Sequence, residues 1–430
     1  MTHAPLEKFY KKSLNERIQN LIDTSRIDAE TVEQFKTSLL LSDDTANHMI
    51  ENQIGTYQLP LGLGLNFVIN DQIYDVPMAT EEPSVIAAAS FGAKTIKASG
   101  GFTTYQDQRL MVGQVALRNV SDPHDKKERV YEARERLIEL AHQAHPSIVR
   151  RGGGVKAIDV RLIDENQVQG TPDFFIVHLL VDTSEAMGAN MVNTMVEAIK
   201  DELELITGGD CLMGILSNYA TENTVTSTCI IPPTLLSRAE IPGEEVRDRI
   251  VEANQFAIAD PYRAVTHNKG IMNGIDAVVL ATGNDTRAIA AGIHAFASRS
   301  GQYRALTNWY VDDQANLVGT ITVPMAIGTV GGSISIHPGA QFAHSMLNKP
   351  TASELAGIIA SVGLAQNFSA LRALVTEGIQ KGHMSLQAKS LAMVAGAKGK
   401  EIEAITKQLK QEPLMNLAVA EKLLKAYRDQ

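Results

Sequence analysis

Two cysteines and one tryptophan in 430 residues leave little room for thiol chemistry. Cys211 and Cys229 stand in apolar stretches, and neither has a partner at metal-ligand spacing. Both are expected as buried free thiols, and no metal centre is expected. Positive charge is short too: 39 Lys and Arg against 49 Asp and Glu give a formal net charge of −10, and the basic residues are scattered. Nucleic acid and anionic membrane surfaces call for a concentrated positive patch, so neither is expected as a partner. Apolar runs such as Ala277–Ala281 fall far short of the ~20 residues that cross a bilayer. Met1 to Asn15 carries charges and no apolar stretch of the signal-peptide kind, so the expected location is cytoplasmic. The common enzyme signatures are missing as well. There is no Walker A, H-E-x-x-H or G-x-S-x-G, and Gly62-Leu-Gly64 lacks the third glycine and following helix of a G-x-G-x-x-G turn. Any dinucleotide site must be of another kind.

What is there is an ordinary globular composition, 44% hydrophobic and 20% charged, long enough for two or three domains. Residues 7–50 place Ile18, Leu21 and Ile22, then Phe35, Leu39 and Leu40, at the spacing of short amphipathic helices. The segment Leu59–Asn66 leads into strand-like runs at Phe67–Asn70 and Ile73–Val76. Pro83 to Ala98, closed by Gly100-Gly101, is framed as a helix and is apolar or small on nearly every face, so a central buried helix is expected. The middle third predicts strands near 111–120, 155–163, 174–182 and 211–219, with helices near 124–144 and 188–206. That is the β-α-β-β-α-β order of a ferredoxin-like unit, inserted between two parts of something larger. From Ile241 longer helices return, with a strand near 276–282 and a Gly-rich stretch at Gly328–Gly339. Beyond Thr376 the sequence is Ala-, Lys- and Leu-rich and helical. The expected fold class is α+β. Residues 1–109 and 220–375 form a discontinuous large domain, 110–219 an inserted small domain, and 376–430 a helical C-terminal domain.

Four stretches could carry chemistry, each beside a plainer reading. Thr80-Glu81-Glu82-Pro83-Ser84 either complements a helix N-terminus with two acids or holds one carboxylic acid partly desolvated, able to keep a proton near neutral pH. Lys269, among small and polar residues in Thr266–Asn273, is a surface-turn lysine or an oxyanion stabiliser. Asp285, at the end of Ala281-Thr-Gly-Asn-Asp285, is a helix cap or a fixed carboxylate at a strand end. His383 is an exposed tail histidine or a proton donor to a leaving group. A fifth stretch, Asp182 to Asn190, joins strand to helix. Gly188 and Ala189 are small enough there for a phosphate to reach free N–H groups, a pattern shared by many ordinary turns.

Together these segments resemble the class II 3-hydroxy-3-methylglutaryl-CoA reductases, over nearly the whole chain from about residue 50 onward. The resemblance rests on Glu81–Ser90, Glu185–Asn190, Asp260–Asn273, Ala281–Asp285 and Glu377–Met384, in the family's order. It implies reduction of HMG-CoA to mevalonate and CoA by two hydrides in the mevalonate pathway of isoprenoid synthesis. It puts the family's catalytic glutamate on Glu82, lysine on Lys269, aspartate on Asp285 and flap histidine on His383. Ser84, Arg263, Asn218 and Asn273 match positions that hold the substrate carboxylate or complete the polar network. The dinucleotide-binding turn falls on Glu185, Ala186, Met187, Gly188, Ala189 and Asn190, where many members carry Asp in place of Glu185. The resemblance further implies a cofactor-binding ferredoxin-like small domain, a CoA-binding large domain, a closing C-terminal flap, and a homodimer or higher assembly with active sites at the interface. NADH-preferring relatives carry an acid shortly before the triple glycine. Here the stretch is His145-Pro-Ser-Ile-Val-Arg-Arg151 before Gly152-Gly-Gly154. With His145 and Ser147 as donors and Arg150 or Arg151 as charge, NADPH is the expected cofactor and NADH the alternative. The same fold run oxidatively, for mevalonate catabolism, is the rival reading.

Overall fold

The computed structural model describes residues 6, 8–27, 41–238, 240–378 and 388–429. Among the described residues ten strands form two sheets. Strands β1 (Leu61–Ile69), β2 (Gln72–Ala79), β3 (Phe102–Tyr105), β8 (Thr224–Ile231), β9 (Thr307–Val311) and β10 (Leu317–Pro324) make a six-stranded sheet in the order β2-β1-β3-β8-β10-β9. Strands β4 (Leu110–Arg118), β5 (Gly154–Ile163), β6 (Phe174–Asp182) and β7 (Asp210–Ser217) make a second sheet in the order β5-β6-β4-β7. The chain thus leaves the first sheet after β3, completes the second, and re-enters the first at β8.

Local chemistry explains the main turns. Asn70 and Asp71 both take positive φ (47° and 64°) between β1 and β2, the conformation that suits a two-residue hairpin and that Asn and Asp tolerate. In the second sheet every pairing is antiparallel, and the helices Ala189–Ala198 and Lys200–Thr207 lead from β6 to β7. Gly113 of β4 lets the first of these helices sit close: a Cβ there would lie 2.5 Å from Val196 and 2.7 Å from Val192.

The core of the larger unit is the helix Ala352–Val375, opened by a capping box between Thr351 and Glu354. It is buried on every side. Gly357 faces Thr104 of β3, Gly363 faces Ile271 and Ile275, and Ser361 bonds Ser227 of β8 at 2.9 Å. Its length and mean hydropathy would suffice to cross a membrane, but 78% of the apolar window is buried inside the protein. The helix Val85–Lys97 packs against it so tightly that a Cβ on Gly92 would stand 2.3 Å from the Ala365 carbonyl oxygen.

Four expectations are corrected. The helix buried all round is Ala352–Val375; Val85–Lys97 buries one face (Val85, Ala89, Gly92, Ala93, Ile96) and exposes Phe91, Lys94 and Lys97. Residues 276–281, expected as a strand, are the last turns of the helix Pro261–Ala281. A short apolar run looks the same in a buried strand and in a helix enclosed by packing, and here the packing decides. Cys229 is buried as expected, whereas Cys211 is half-buried; both are free, and burial pushes the Cys211 thiol up to about 11. The charged helix near 124–144 is split into Pro123–Glu132 and Arg134–Ala144. Phe35, Leu39 and Leu40 lie outside the described residues. After residue 387 the helices Lys400–Leu409 and Leu417–Arg428 share a small core of their own with Ala388, Ala392 and Ala397.

Candidate active site

The helix Pro261–Ala281 is the platform. Asp260 caps it by accepting the Arg263 N–H at 2.9 Å, and Pro261 occupies its first position. Its inward face is pinned by a buried polar network. His267 Nε2 stands 2.7 Å from Thr307 Oγ1 and 3.0 Å from Asn367 Nδ2, Trp309 Nε1 donates to Asn367 Oδ1 at 2.8 Å, and Thr307 bonds Asn254 at 3.2 Å. Burial first, and the nearby Arg263 charge second, push the His267 imidazole down to about 3. It is therefore a neutral structural group at working pH, and a network this deep fixes the helix's rotation about its axis.

With the helix fixed, positions 269, 273 and 276 share another face. Lys269 Nζ donates to Glu82 Oε2 at 2.7 Å, and Asn273 Nδ2 donates to Glu82 Oε1 at 3.3 Å. Glu82 comes from the short link between β2 and the helix Val85–Lys97, where Thr80 Oγ1 accepts its N–H at 3.2 Å and Ser84 turns the backbone at φ 75°. The cluster is open to solvent: the Lys269 side chain is 59% exposed and that of Glu82 is 38% exposed. Arg263, two turns back, is half-buried; burial lowers its pKa, and no hydrogen bond or ion pair of its guanidinium is found among the described residues. A cation held so, without a carboxylate, suits an anionic ligand group.

Among the described residues no hydrogen bond or ion pair joins Lys269 to Asp285. It caps the helix Thr286–Ala297 through the N–H groups of Arg287 and Ala288, and it pairs with the Arg287 guanidinium, which holds its carboxyl below the usual range. The helix-cap role foreseen for Asp285 is therefore real. Ser84 lies beside Glu82, and its hydroxyl donates to the Pro83 carbonyl at 2.5 Å. Asn218 is exposed, with its carbonyl against Gly292 of the helix that Asp285 caps. His383 lies outside the described residues.

Sequence reasoning passed over Asp276, one turn beyond Asn273. Its carboxyl is buried enough to be pushed up to about 6, and its Oδ1 has no hydrogen-bond partner. A carboxyl raised in the fold disfavours folding once the pH passes its unfolded value, with the full penalty above about 6. Asp276→Asn should therefore raise the melting temperature at pH 7–8 and change it little near pH 3. A variant no more stable than wild type at pH 8 would contradict the burial argument.

The second candidate site lies on the four-stranded unit. The turn after β6 runs through Ser184 (φ 54°) to Gly188 (φ 84°), where a Cβ would stand 2.3 Å from Thr183, and ends at the N-terminus of the helix Ala189–Ala198. Gly153 approaches the same strand end, since a Cβ there would lie 2.7 Å from the Asp182 carbonyl oxygen. The 145–151 segment is thereby brought beside the turn. In it Ser147 Oγ is 3.3 Å from His145 Nδ1, and Arg150 is exposed. Lys156, not foreseen, adds a cation 3.8 Å from Asp182. Among the described residues no group of His, Cys, Asp and Glu could hold a metal ion.

Residues 13–388 match the family model for hydroxymethylglutaryl-coenzyme A reductase. The 3-hydroxy-3-methylglutaryl-coenzyme A reductase of Archaeoglobus fulgidus is 44% identical over 420 residues, covering 98% of this chain and 94% of that protein. A solved reductase of the same name from Streptococcus pneumoniae superposes with a TM-score of 0.85 at 48% identity, covering 99% of this chain and 100% of the other. A second structure from that organism, described as a class II enzyme bound to NADPH in open conformations, gives 0.83 at 49% identity, covering 97% and 100%. By its sequence over nearly its whole length and by its fold, the chain belongs to the hydroxymethylglutaryl-coenzyme A reductase family, and within it to class II.

Proposed function

We propose that the chain reduces HMG-CoA to mevalonate and free CoA with two equivalents of NADPH, and that the observation carrying this is the Lys269–Glu82–Asn273 cluster, with Arg263 earlier on the same helix and without an acidic partner among the described residues. The thioester carbonyl gains four electrons, and NADPH supplies them as two hydrides. Lys269 stands over the carbonyl oxygen and stabilises the negative charge that develops in each hydride step. After the first step the C–S bond breaks, and His383 protonates the departing CoA thiolate. After the second, the alkoxide of mevalonate takes a proton from the Glu82–Lys269 pair, whose short hydrogen bond lets either partner pass it on. Arg263 and Ser84 hold the far carboxylate of the substrate, and Asn273 keeps Glu82 oriented. Asn218 completes the polar rim. Asp285 supports Lys269 after leaving Arg287, a movement that substrate closure would drive.

The turn Glu185–Asn190 holds the pyrophosphate at the helix N-terminus, and His145, Ser147 and Arg150 meet the 2′-phosphate. The four-stranded unit is on this reading the ferredoxin-like dinucleotide domain, the six-stranded unit the CoA domain, and the C-terminal helices the flap. A homodimer with shared sites fits the exposed Tyr262 and Val265, two apolar side chains on the helix that carries Lys269. The protein is placed in the cytoplasm. The reverse, oxidative direction uses the same groups.

Loss of reduced-nicotinamide absorbance with HMG-CoA, run with NADPH and with NADH, tests the assignment. NADPH should give the larger kcat/KM, and Ser147→Ala and Arg150→Ala should each narrow the gap. A wild-type preference for NADH would overturn the cofactor reading. His383→Gln should block thioester reduction yet spare reduction of added mevaldehyde, which has no thiolate to protonate. Equal loss on both substrates would assign His383 a structural role.

A further inference from the structure

We propose that Glu185 is a positioning residue, a latch that ties the dinucleotide turn to the N-terminus of the core helix Ala352–Val375, and that the turn is competent for the dinucleotide only while this latch is closed. The inference rests on the reading of residues 185–190 as the dinucleotide turn. Glu185 Oε2 accepts the N–H of Ala352 at 2.7 Å and the hydroxyl of Thr329 at 3.0 Å. Its own carbonyl accepts the Thr329 N–H at 2.8 Å, and Ala186 forms a parallel bridge with Val330. The two segments touch so closely that a Cβ on Gly328 would stand 2.6 Å from Met187 N. Arg109 straddles the same seam, donating to Ser184 O at 2.7 Å and to Ile327 O at 2.8 Å.

The carboxylate is thus placed where a helix leaves an N–H unpaired and where negative charge is favoured. With both donors on one oxygen, its charge is held at the helix terminus and away from an incoming 2′-phosphate. The far end of the seam reaches the loop that carries Asp285: the Gly328 N–H donates to Asn284 Oδ1 at 2.8 Å, and Asn284 precedes Asp285. A turn seated by Glu185 is therefore joined through three residues of one strap to the loop carrying Asp285. An aspartate is shorter by one carbon–carbon bond, ~1.5 Å, and could meet both donors only by dragging the turn.

The test is equilibrium binding of NADPH to the full chain, with KM for NADPH and for HMG-CoA, in Glu185→Ala, Glu185→Asp, Glu185→Gln, Thr329→Val and Gly188→Val. Ala and Asp should weaken NADPH binding and raise its KM by about tenfold or more, because only a fraction of molecules then hold the turn in place. The KM for HMG-CoA should stay within about twofold. Gln, whose amide oxygen can occupy the Oε2 position, should recover most of the affinity that Ala loses. Thr329→Val, which removes one donor and no backbone contact, should give a smaller loss and keeps the test alive if Ala folds poorly. Normal NADPH binding by the Ala variant, beside binding lost in Gly188→Val, would overturn the latch alone. Unchanged binding in Gly188→Val would overturn the reading of the turn, and the latch with it.

Discussion

Lys269→Ala should fold like the wild type and turn over HMG-CoA roughly 10²–10³ times more slowly, or worse. The two halves of that expectation have separate causes. Lys269 is more than half exposed and its partner is Glu82, and exposed pairs of this kind contribute only ~0–1 kcal/mol to stability. The helix beneath is held by His267, Asn367 and Thr307, none of which touches the ammonium, so the platform survives. Chemistry does not: each hydride step builds an alkoxide, and no second cation pairs with Glu82 among the described residues to take the lost one's place. Mevaldehyde reduction should fall with thioester reduction, in contrast to His383→Gln. Stopped-flow or steady-state assays on both substrates, beside a melting curve, check the point. Turnover within a few fold of wild type would remove Lys269 from the oxyanion's surroundings.

Gly92→Leu should damage the fold severely although it alters no site side chain. In an exposed helix, replacing glycine raises helix propensity by up to ~1 kcal/mol. Here the first added carbon already meets the Ala365 carbonyl oxygen at 2.3 Å and Ser369 Oγ at 2.8 Å, and that backbone belongs to the most enclosed helix in the protein. Neither helix can yield without disturbing β1 or β8, so overpacking should cost about 1–3 kcal/mol or more. The same helix carries Ser84 and, one link upstream, Glu82. Its displacement should lower kcat as well as the melting temperature. Ala87→Leu, on the exposed face, is the control and should do neither. A Gly92 variant with wild-type melting and turnover would mean that the contact relaxes freely.

How far the sequence reached follows from what each feature depends on. The strands of the inserted unit are legible within a few residues, because alternation is a local property and turn residues bound each run. Residues 276–281 defeat the same reasoning: Ala277 to Ala281 is apolar in either state, and only the neighbouring helix 352–375 shows that it continues a helix. Lys269 and Glu82 are legible as candidates singly, but their 2.7 Å contact joins residues far apart in sequence and comes only with the fold. His267 lay inside a segment already singled out, and its partners Thr307 and Asn367 did not. Arg109 was invisible for the same reason, and Asn284, though inside a stretch singled out as a helix cap, gave no sign of its bond to the distant Gly328 backbone. Asp276 gave one usable signal, an acid in an otherwise apolar stretch of helix. Glu185 stood out as a departure from Asp, and its physical meaning appears only once Ala352 is beside it.

The route of the chain between the two sheets bears on how the protein is made. Phe102 of β3 pairs with Cys229 of β8, on opposite sides of the whole inserted unit. For an unfolded insert that pairing is a long loop to close, and long-range strand pairing is what slows folding. In the finished second sheet β4 and β7 are adjacent, with Val112 opposite Ser217, so the two ends of the insert already stand side by side. During synthesis β4–β7 are complete before β8 leaves the ribosome, and β3 then meets its partner across a short gap. The insert acts as a splint for the sheet around it. Circular permutants that open the chain inside the insert should refold more slowly than those opened at the hairpin between β1 and β2, even where their final stabilities are equal.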